Sequence, residues 1–363
     1  MDVGVLLVFQ NWFENMSDEE VFTRDLELGV LAEKYGFDSV WSAEHHFDDY
    51  SMCPDNLQIM SYLAARTSRI KLGTGAVILP WNDPLRVVEK AIMLDHMSGG
   101  RVLLGMGRGL AKMEYEGFRT DMGQARERFD EAAAMIIRGL NAGHVENDGP
   151  IYAQPRVAVR PAPSSSRPWN DRLFGVAMSP DSIPPIAALG VQLMTFMQYD
   201  IDKHGEALAR WRDLHLEAHG RLPRPPLLQD FTYCHEDEEE ARRVAQEYIS
   251  KYFLSVIKHY DFAGKHWRET KGYEAYQAGA DMIREAGMEN AAAAYVEANV
   301  YGTPEQIVEK YAHRRDVVGD FLANAAFSYA GMPYDKVEAS LKLFGEQVVP
   351  QLHKVGAATP VGV

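Results

Sequence analysis

The sequence has few cysteines, no long apolar run and no excess of positive charge. Its 363 residues include only Cys53 and Cys234, too few for a disulfide framework and without the spacing of a metal centre, which is typical of a reducing compartment. We therefore expect a cytoplasmic protein. Residues 1–9 lack the basic start of a signal peptide, and no apolar run is long enough to cross a bilayer. The formal net charge of -15 argues against nucleic acid or an anionic membrane as a partner.

The fold class is indicated by strand-like and helix-like patterns that alternate along the chain. Such alternation favours parallel strands joined by helices, and about eight pairs predict an α/β fold of the (β/α)8 TIM-barrel type. We expect residues 1–363 to form one domain, because barrels of this length are common. The predicted strands are Val3–Phe9, the stretch that ends at Glu44, Ile70–Gly75, Val102–Gly107, Leu173–Ala177, Leu193–Met197, Leu227–Cys234 and Phe321–Phe327.

A long insertion, residues 253–301, precedes the last predicted strand. It combines glycines with aromatic and charged residues, as in Tyr260-Asp261-Phe262 and Trp267-Arg268. This composition suits a mobile lid that closes over a ligand and excludes water. A surface loop without that role explains it equally well.

The candidate catalytic residues are Glu44, His45 and His46, which directly follow the second predicted strand. Barrel enzymes hold their catalytic groups on loops at the C-terminal ends of strands. A hydrogen-bonded histidine pair that fixes the loop is the structural alternative. A metal site is disfavoured, because adjacent histidines project differently and no further histidine or carboxylate set is seen at strand ends 4 to 6. We predict no metal.

Candidate residues for a phosphate-bearing cofactor follow the fourth and fifth predicted strands. Gly107 and Arg108 lie in a glycine-rich segment whose third glycine is misplaced for a dinucleotide turn. Arg108 suits a phosphate because a guanidinium is a planar donor fork, and Arg126 is its candidate partner. A solvent-exposed salt bridge explains either arginine singly. The turn from Ser179 to Ser182 opens a helix, so it either binds phosphate or caps that helix.

Several motifs together resemble one known family, the bacterial luciferase-like flavin-dependent monooxygenases, and within it the luciferase alpha subunit. The matching segments, in order along almost the whole chain, are Glu44-His45-His46-Phe47, Gly73-Thr74 through Leu79-Pro80, Leu94 to Arg101, Arg108-Gly109-Leu110, Gly302-Thr303-Pro304-Glu305, and Leu343-Phe344 with Val349-Pro350.

The resemblance implies a role for each matching position. His45 would be the catalytic imidazole, with Glu44 supporting the pocket floor. Gly75-Ala76 would be a cis peptide under the flavin ring. The phosphate of FMN would be held by Arg108, Arg126 and the turn that includes Met178, Ser179 and Ser182.

Three positions depart from the luciferase pattern, which argues against light emission. Gly107 stands in place of a cysteine, Met178 in place of a glutamate and Met197 in place of a tryptophan. For the substrate side we name Phe47, Trp81, Met113 and Met197 as apolar contacts, although core packing explains each equally well.

The resemblance also implies the reaction. A separate NAD(P)H:flavin reductase would supply reduced FMN (FMNH2), and O2 would react through a flavin peroxide to oxidise a small apolar substrate. An aldehyde, a ketone (Baeyer–Villiger type) or a hydroxylation substrate all remain open. Two alternatives are a deazaflavin-dependent hydride-transfer enzyme and a flavin-binding protein without turnover. A homodimer packed through the helices after strands 2 and 3 is expected.

Overall fold

Eight parallel strands form a closed barrel in the computed structural model, which describes residues 1–13, 16–262, 264 and 266–355. The strands in this part of the chain are β1 (Val3–Leu7), β2 (Ser39–Ser42), β3 (Lys71–Thr74), β4 (Val77–Ile78), β5 (Val102–Gly107), β6 (His144–Asn147), β7 (Gln154–Ala158), β8 (Leu173–Val176), β9 (Gln192–Phe196), β10 (Leu227–Cys234), β11 (Val300–Gly302) and β12 (Leu322–Ala326).

The barrel follows the order β1-β2-β3-β5-β8-β9-β10-β12 and closes where β12 pairs with β1. The strand β4 continues from β3 and also pairs with β5, while β11 extends the edge of β10. The strands β6 and β7 form an antiparallel hairpin outside the barrel. The predicted TIM barrel is therefore confirmed, and the hairpin is an addition that the sequence analysis missed.

Helices surround the barrel. Those within the described residues are α1 (Asp18–Lys34), α2 (Asn56–Arg66), α3 (Pro84–Met97), α4 (Lys112–Gly117), α5 (Ala125–Ala142), α6 (Ile183–Leu189), α7 (Ile201–His219), α8 (Glu238–His259), α9 (His266–Glu269), α10 (Glu274–Ala286), α11 (Met288–Ala298), α12 (Pro304–Val318), α13 (Tyr334–Leu343) and α14 (Val349–Val355), with a π-helical turn (Phe344–Val348) between the last two. Side-chain caps fix where several of these helices begin. Asp55 and Asp83 each accept a hydrogen bond from a backbone N–H in the first turn of α2 and α3. No helix in these ranges is long and apolar enough to cross a membrane.

Inside the barrel, a glycine makes room for a tryptophan on the neighbouring strand. Trp41 pairs with Gly73 across β2 and β3, and its fully buried ring lies where a side chain at Gly73 would be, with a Cβ there only 2.2 Å from the ring. Ser39 accepts a hydrogen bond from the indole N–H at 2.9 Å. Gly73 therefore serves internal packing, and any ligand surface at this strand end begins at Gly75.

The insertion before the last barrel strand is largely helical. The helix α8 extends to His259, beyond the residue 253 at which the sequence analysis began the insertion, and α9, α10 and α11 follow it. Aromatic side chains join part of this segment to the barrel rim in a second buried cluster that includes Tyr115, Trp267 and Tyr273. The chain therefore returns over the C-terminal end of the barrel before β11.

Candidate active site

The loop after β2 places His45 against a buried carboxylate. His45 Nδ1 lies 2.9 Å from Oε1 of Glu114, and the backbone N–H of His46 donates to the same oxygen at 2.9 Å. An ionised carboxylate can only accept, so Nδ1 of His45 carries the proton in this bond. The other ring nitrogen, Nε2, then lies 3.4 Å from the hydroxyl of Tyr260 and is free to accept.

Glu114 also faces a second histidine, His259. His259 is fully buried; its Nδ1 lies 2.9 Å from Asp48, and its Nε2 lies 3.9 Å from Glu114 Oε1 without a hydrogen-bond partner. Burial alone would raise the pKa of Glu114, but His45 and His259 together lower it below its ordinary value. Burial lowers the pKa of His259. The sequence analysis named neither Glu114 nor His259, which lie on α4 and at the end of α8 and are distant from His45 along the chain.

Glu44 fixes the segment that follows β3. Its buried carboxylate accepts hydrogen bonds from the backbone N–H of Ile78 at 3.1 Å, from Trp81 Nε1 at 2.8 Å and from Asn82 Nδ2 at 2.9 Å. It also lies 3.3 Å from Nε2 of His46. Glu44 thus holds the rim in place through several partners.

The Gly75–Ala76 peptide bond is cis, as the resemblance implies. The backbone N–H of Gly75 donates to the carbonyl of Ser42 at 2.8 Å, which ties this turn to the end of β2. Gly107 lies beside it, because a Cβ at Gly107 would be 3.4 Å from Cβ of Ala76 and 2.9 Å from Ile78. The end of β5 is therefore packed closely against this peptide.

Two arginines and two serines converge at the ends of the next strands. Arg126 donates to Ser182 Oγ at 3.2 Å, and the hydroxyls of Ser179 and Ser182 lie 2.9 Å apart. Burial lowers the pKa of Arg126, and the positive charge of Arg108 lowers it further. Asp130 is 3.8 Å from Arg126. Two neighbouring cations beside hydroxyl donors form a site that suits an anion such as a phosphate.

The insertion covers this anion site directly. Arg108 donates to the carbonyl of Gly272 at 2.7 Å, and its guanidinium lies 4.0 Å from the centre of the Tyr273 ring. Tyr276 is hydrogen-bonded to Ser179 and Arg108, while burial raises its pKa. The same arginine thus contacts both the anion site and the segment above it.

The remaining residues named from the sequence lie in differing surroundings. Trp81 stacks on Phe118 in addition to its bond with Glu44, and Met113 is half-buried on α4. Phe47 packs beside His46 but is 61% exposed. Met197 is buried in the main core. The sulfur of Met178 accepts from the backbone N–H of Phe196 at 3.3 Å, so its side chain lies against β9.

An open groove of about 580 Å³ reaches the two histidines from the side of α1. Carboxylates and apolar side chains both line it. Lining residues include Glu19, Phe22, His45, His46, Asp48 and Met52. The loop after β2 is therefore accessible to solvent from this side.

The chain belongs to the luciferase-like monooxygenase family, whose sequence profile matches residues 1–320. A similar curated protein is the alkanal monooxygenase alpha chain of Photorhabdus luminescens, which is 26% identical over 352 residues that cover 93% of each chain. The family is flavin-dependent, so the barrel and its rim belong to a flavin-dependent monooxygenase fold.

Solved structures share the fold along almost the whole chain. Monooxygenase RslO1 from Streptomyces bottropensis superposes with a TM-score of 0.80 at 25% identity, covering 97% of this chain and 100% of that one. A second similar structure is the oxygenating constituent of 3,6-diketocamphane monooxygenase from Pseudomonas putida, a type II Baeyer–Villiger monooxygenase in complex with FMN. Its TM-score is 0.74 at 17% identity, and the match covers 96% of this chain and 98% of that one. An F420-dependent secondary alcohol dehydrogenase gives 0.69 at 16% identity, with coverages of 97% and 98%. These last two likenesses bear on the fold alone.

Proposed function

We propose that this protein is the oxygenase component of a two-component monooxygenase that uses reduced FMN and O2 to oxidise a small apolar organic substrate. The observation that carries the proposal is the anion site, in which Arg108, Arg126 and the Ser179–Ser182 turn converge at the same rim as His45. Gly75–Ala76 and the loop with His45 follow β3 and β2 at the same end of the barrel, and these residues would hold the flavin ring.

The residues of the site fit such a cofactor. Arg108 and Arg126 repel each other, and a phosphate dianion between them would relieve that repulsion while it accepted bonds from both serine hydroxyls. The absence of a side chain at Gly107 lets the end of β5 pack closely beside the cis peptide. When bound, reduced FMN supplies the electrons that activate O2.

His45 is the residue that we propose moves a proton during the reaction. Glu114 holds the proton on Nδ1, which leaves Nε2 as the base. Tyr260, 3.4 Å away, offers a hydroxyl for the proton to pass to or from. Glu44 and His46 support the loop, so we assign them positioning roles.

Residues 253–301 would act as the lid of a single barrel domain. Their contacts with Arg108 would close the site once the phosphate is bound and would keep water from it. The aromatic side chains of Tyr273 and Tyr276 form a cover that suits an uncharged substrate. Trp81 packs against the same cluster and is the substrate contact that we favour among the four named from the sequence.

The relatives' names support this reaction class. An alkanal monooxygenase acts on an aldehyde, and a Baeyer–Villiger enzyme acts on a ketone, so both are candidate substrate classes here. We further propose a separate NAD(P)H:flavin reductase as a partner, a homodimer as the assembly and the cytoplasm as the location.

Rapid mixing tests the proposal. Anaerobic protein with reduced FMN is mixed with oxygenated buffer, and the flavin spectrum is followed with and without aldehydes and ketones. We expect a transient absorbing species before full reoxidation, and one substrate class should accelerate its decay. Oxidised product should form in proportion to the flavin consumed.

Two results would replace the proposal with its alternatives. Reoxidation without a transient species, together with tight binding of the deazaflavin F420 and hydride exchange with it, would indicate a hydride-transfer enzyme. Tight FMN binding with no product from any substrate, and no change in flavin reoxidation in His45→Ala, would indicate a flavin-binding protein. Arg156→Ala, an exposed arginine on the β6–β7 hairpin, controls for unspecific effects of substitution.

A further inference from the structure

The carboxylate and the two histidines at the rim form a group with the composition of a metal site. The side-chain donor atoms of His45, Glu114 and His259 all lie within 4.8 Å of one another. Glu114 Oε1 is 2.9 Å from Nδ1 of His45 and 3.9 Å from Nε2 of His259. Two ligands at about 2.1 Å from a tetrahedral Zn²⁺ lie roughly 3.4 Å apart, so small side-chain shifts would suffice.

His259 shows that a positive partner is missing from this group. Asp48 accepts the Nδ1 proton of His259 at 2.9 Å, so in the neutral ring the lone pair of Nε2 is directed to the interior. That atom is fully buried without a hydrogen-bond partner, and it faces the carboxylate of Glu114 across 3.9 Å. Two electron-rich atoms at this separation leave space for a cation between them.

The surroundings also match those of a metal ligand set. A ligating histidine usually donates its other ring N–H to a carboxylate, as His259 does to Asp48. Glu114 is in turn held by the backbone N–H of His46. The open groove lined by His45 and Asp48 gives a route from solvent, and the acidic residues Asp18 and Glu19 at that groove attract cations.

We propose that His45, Glu114 and His259 bind a divalent transition metal such as Zn²⁺, which blocks the reaction by occupying His45. The metal would take the place of the proton shared by His45 Nδ1 and Glu114. That proton would move to Nε2 of His45, from which it can donate a hydrogen bond to the Tyr260 hydroxyl. Two imidazole ligands favour Zn²⁺, Co²⁺, Ni²⁺ or Cu²⁺ over Mg²⁺ and Ca²⁺, which prefer oxygen ligands.

The sequence disfavoured a metal site because no further histidine or carboxylate set was seen at strand ends 4 to 6. In the structure, Glu114 follows the fourth barrel strand and His259 ends the helix after the seventh. The metal binding stands on geometry alone. Only its inhibitory effect depends on the function proposed above.

Cobalt uptake by the flavin-free, untagged full-length protein is the test. Titration with Co²⁺ should show tight binding of one equivalent, with the visible absorption of a low-coordinate cobalt site. Zn²⁺ should displace the bound Co²⁺, whereas Mg²⁺ should not. We expect at least about a tenfold loss of affinity in both His259→Ala and Glu114→Gln. His235→Ala, which removes a half-buried histidine just before the other end of α8, should bind as wild type.

Several outcomes separate this inference from the proposed function. No uptake by the wild type, or uptake that is unchanged in both variants, would refute the metal site. FMN affinity and the thermal midpoint of each variant show whether it is folded. If His259→Ala does not fold, Glu114→Gln alone tests the metal site. Metal uptake without oxygenase activity in metal-free buffer would refute the proposed function but leave the site. Uptake with undiminished substrate oxidation in Zn²⁺ would refute the inhibition.

Discussion

The guanidinium of Arg108 lies 4.0 Å from the centre of the Tyr273 ring and also donates to the neighbouring carbonyl of Gly272 at 2.7 Å. Tyr273 belongs to the insertion, whereas Arg108 directly follows β5, so this contact joins the candidate lid to the candidate phosphate site. A cation over an aromatic face is stabilised by the ring, most of all where water is excluded. Cofactor binding and closure of the insertion should therefore depend on the same arginine.

Arg108→Ala should weaken the binding of reduced FMN by about 10- to 100-fold, the usual range for a lost bond to a charged group. Arg108→Lys should lose less of this affinity, since lysine keeps the positive charge but lacks the planar donor fork of the guanidinium. Anaerobic titration followed by flavin absorbance measures both. Arg156→Ala, which removes an exposed arginine, should bind as wild type. Equal affinities in Arg108→Ala and wild type would remove Arg108 from the phosphate site.

Glu114→Gln should lower kcat by about 10- to 100-fold and leave the KM for the organic substrate almost unchanged, because Glu114 positions His45 without a place in the substrate pocket. The pH profile of kcat should also shift, since the carboxylate no longer favours the Nδ1 proton. Glu116→Gln is the matched control, an exposed glutamate on the same helix paired with Lys112. A rise in KM with an unchanged kcat would contradict the positioning role.

The sequence indicated the local parts of this site well. The end of β2 was recognisable because an apolar strand stops at Glu44, and the cis bond at Gly75–Ala76 followed from the family resemblance. Strand bounds agreed with the structure within two residues at most barrel strands, since a buried parallel strand is a continuous apolar run between turn residues.

The partnerships across the rim could not be read from the sequence. Glu114 follows the fourth barrel strand and His259 ends the helix after the seventh. The periodicity of a sequence indicates only which face of its own helix a residue occupies. The sequence also does not show that Gly73 makes room for Trp41, because only the strand register places the two residues side by side. The helices of the insertion were missed because glycines and aromatic residues at residues 260–273 are typical of a loop.

Gly105→Ala should destabilise the fold by on the order of 3 kcal/mol, because its Cβ would lie 2.1 Å from the backbone oxygen of Thr74 and the strands would have to separate. Thr74 Oγ1 also exchanges two hydrogen bonds of 2.9 Å with Gly105, so the displacement would reach the Gly75–Ala76 turn. Denaturant unfolding measures the loss. Gly205→Ala is the matched control, since this glycine within α7 has its nearest neighbour at 3.5 Å and should gain up to about 1 kcal/mol. Equal stabilities of the two variants would show that the β3–β5 contact is looser than the structure has it.

Asp25→Asn should flatten the pH dependence of stability between about pH 4 and pH 7. Asp25 is fully buried on α1, where it accepts from the backbone N–H of Phe9 at 2.8 Å and lies 2.7 Å from the hydroxyl of Tyr334. Burial raises its pKa from 3.8 to about 6, although these hydrogen bonds lower it. The native state therefore keeps this proton to a higher pH than the unfolded chain does. Its contribution to stability is complete below the pKa of the unfolded chain and is lost as the pH rises through about 6.

Urea unfolding at a series of pH values should show this loss in the wild type and in Glu27→Gln, an exposed control on the same helix, but not in Asp25→Asn. Parallel pH profiles in all three proteins would show that Asp25 ionises at its ordinary pKa in the folded state.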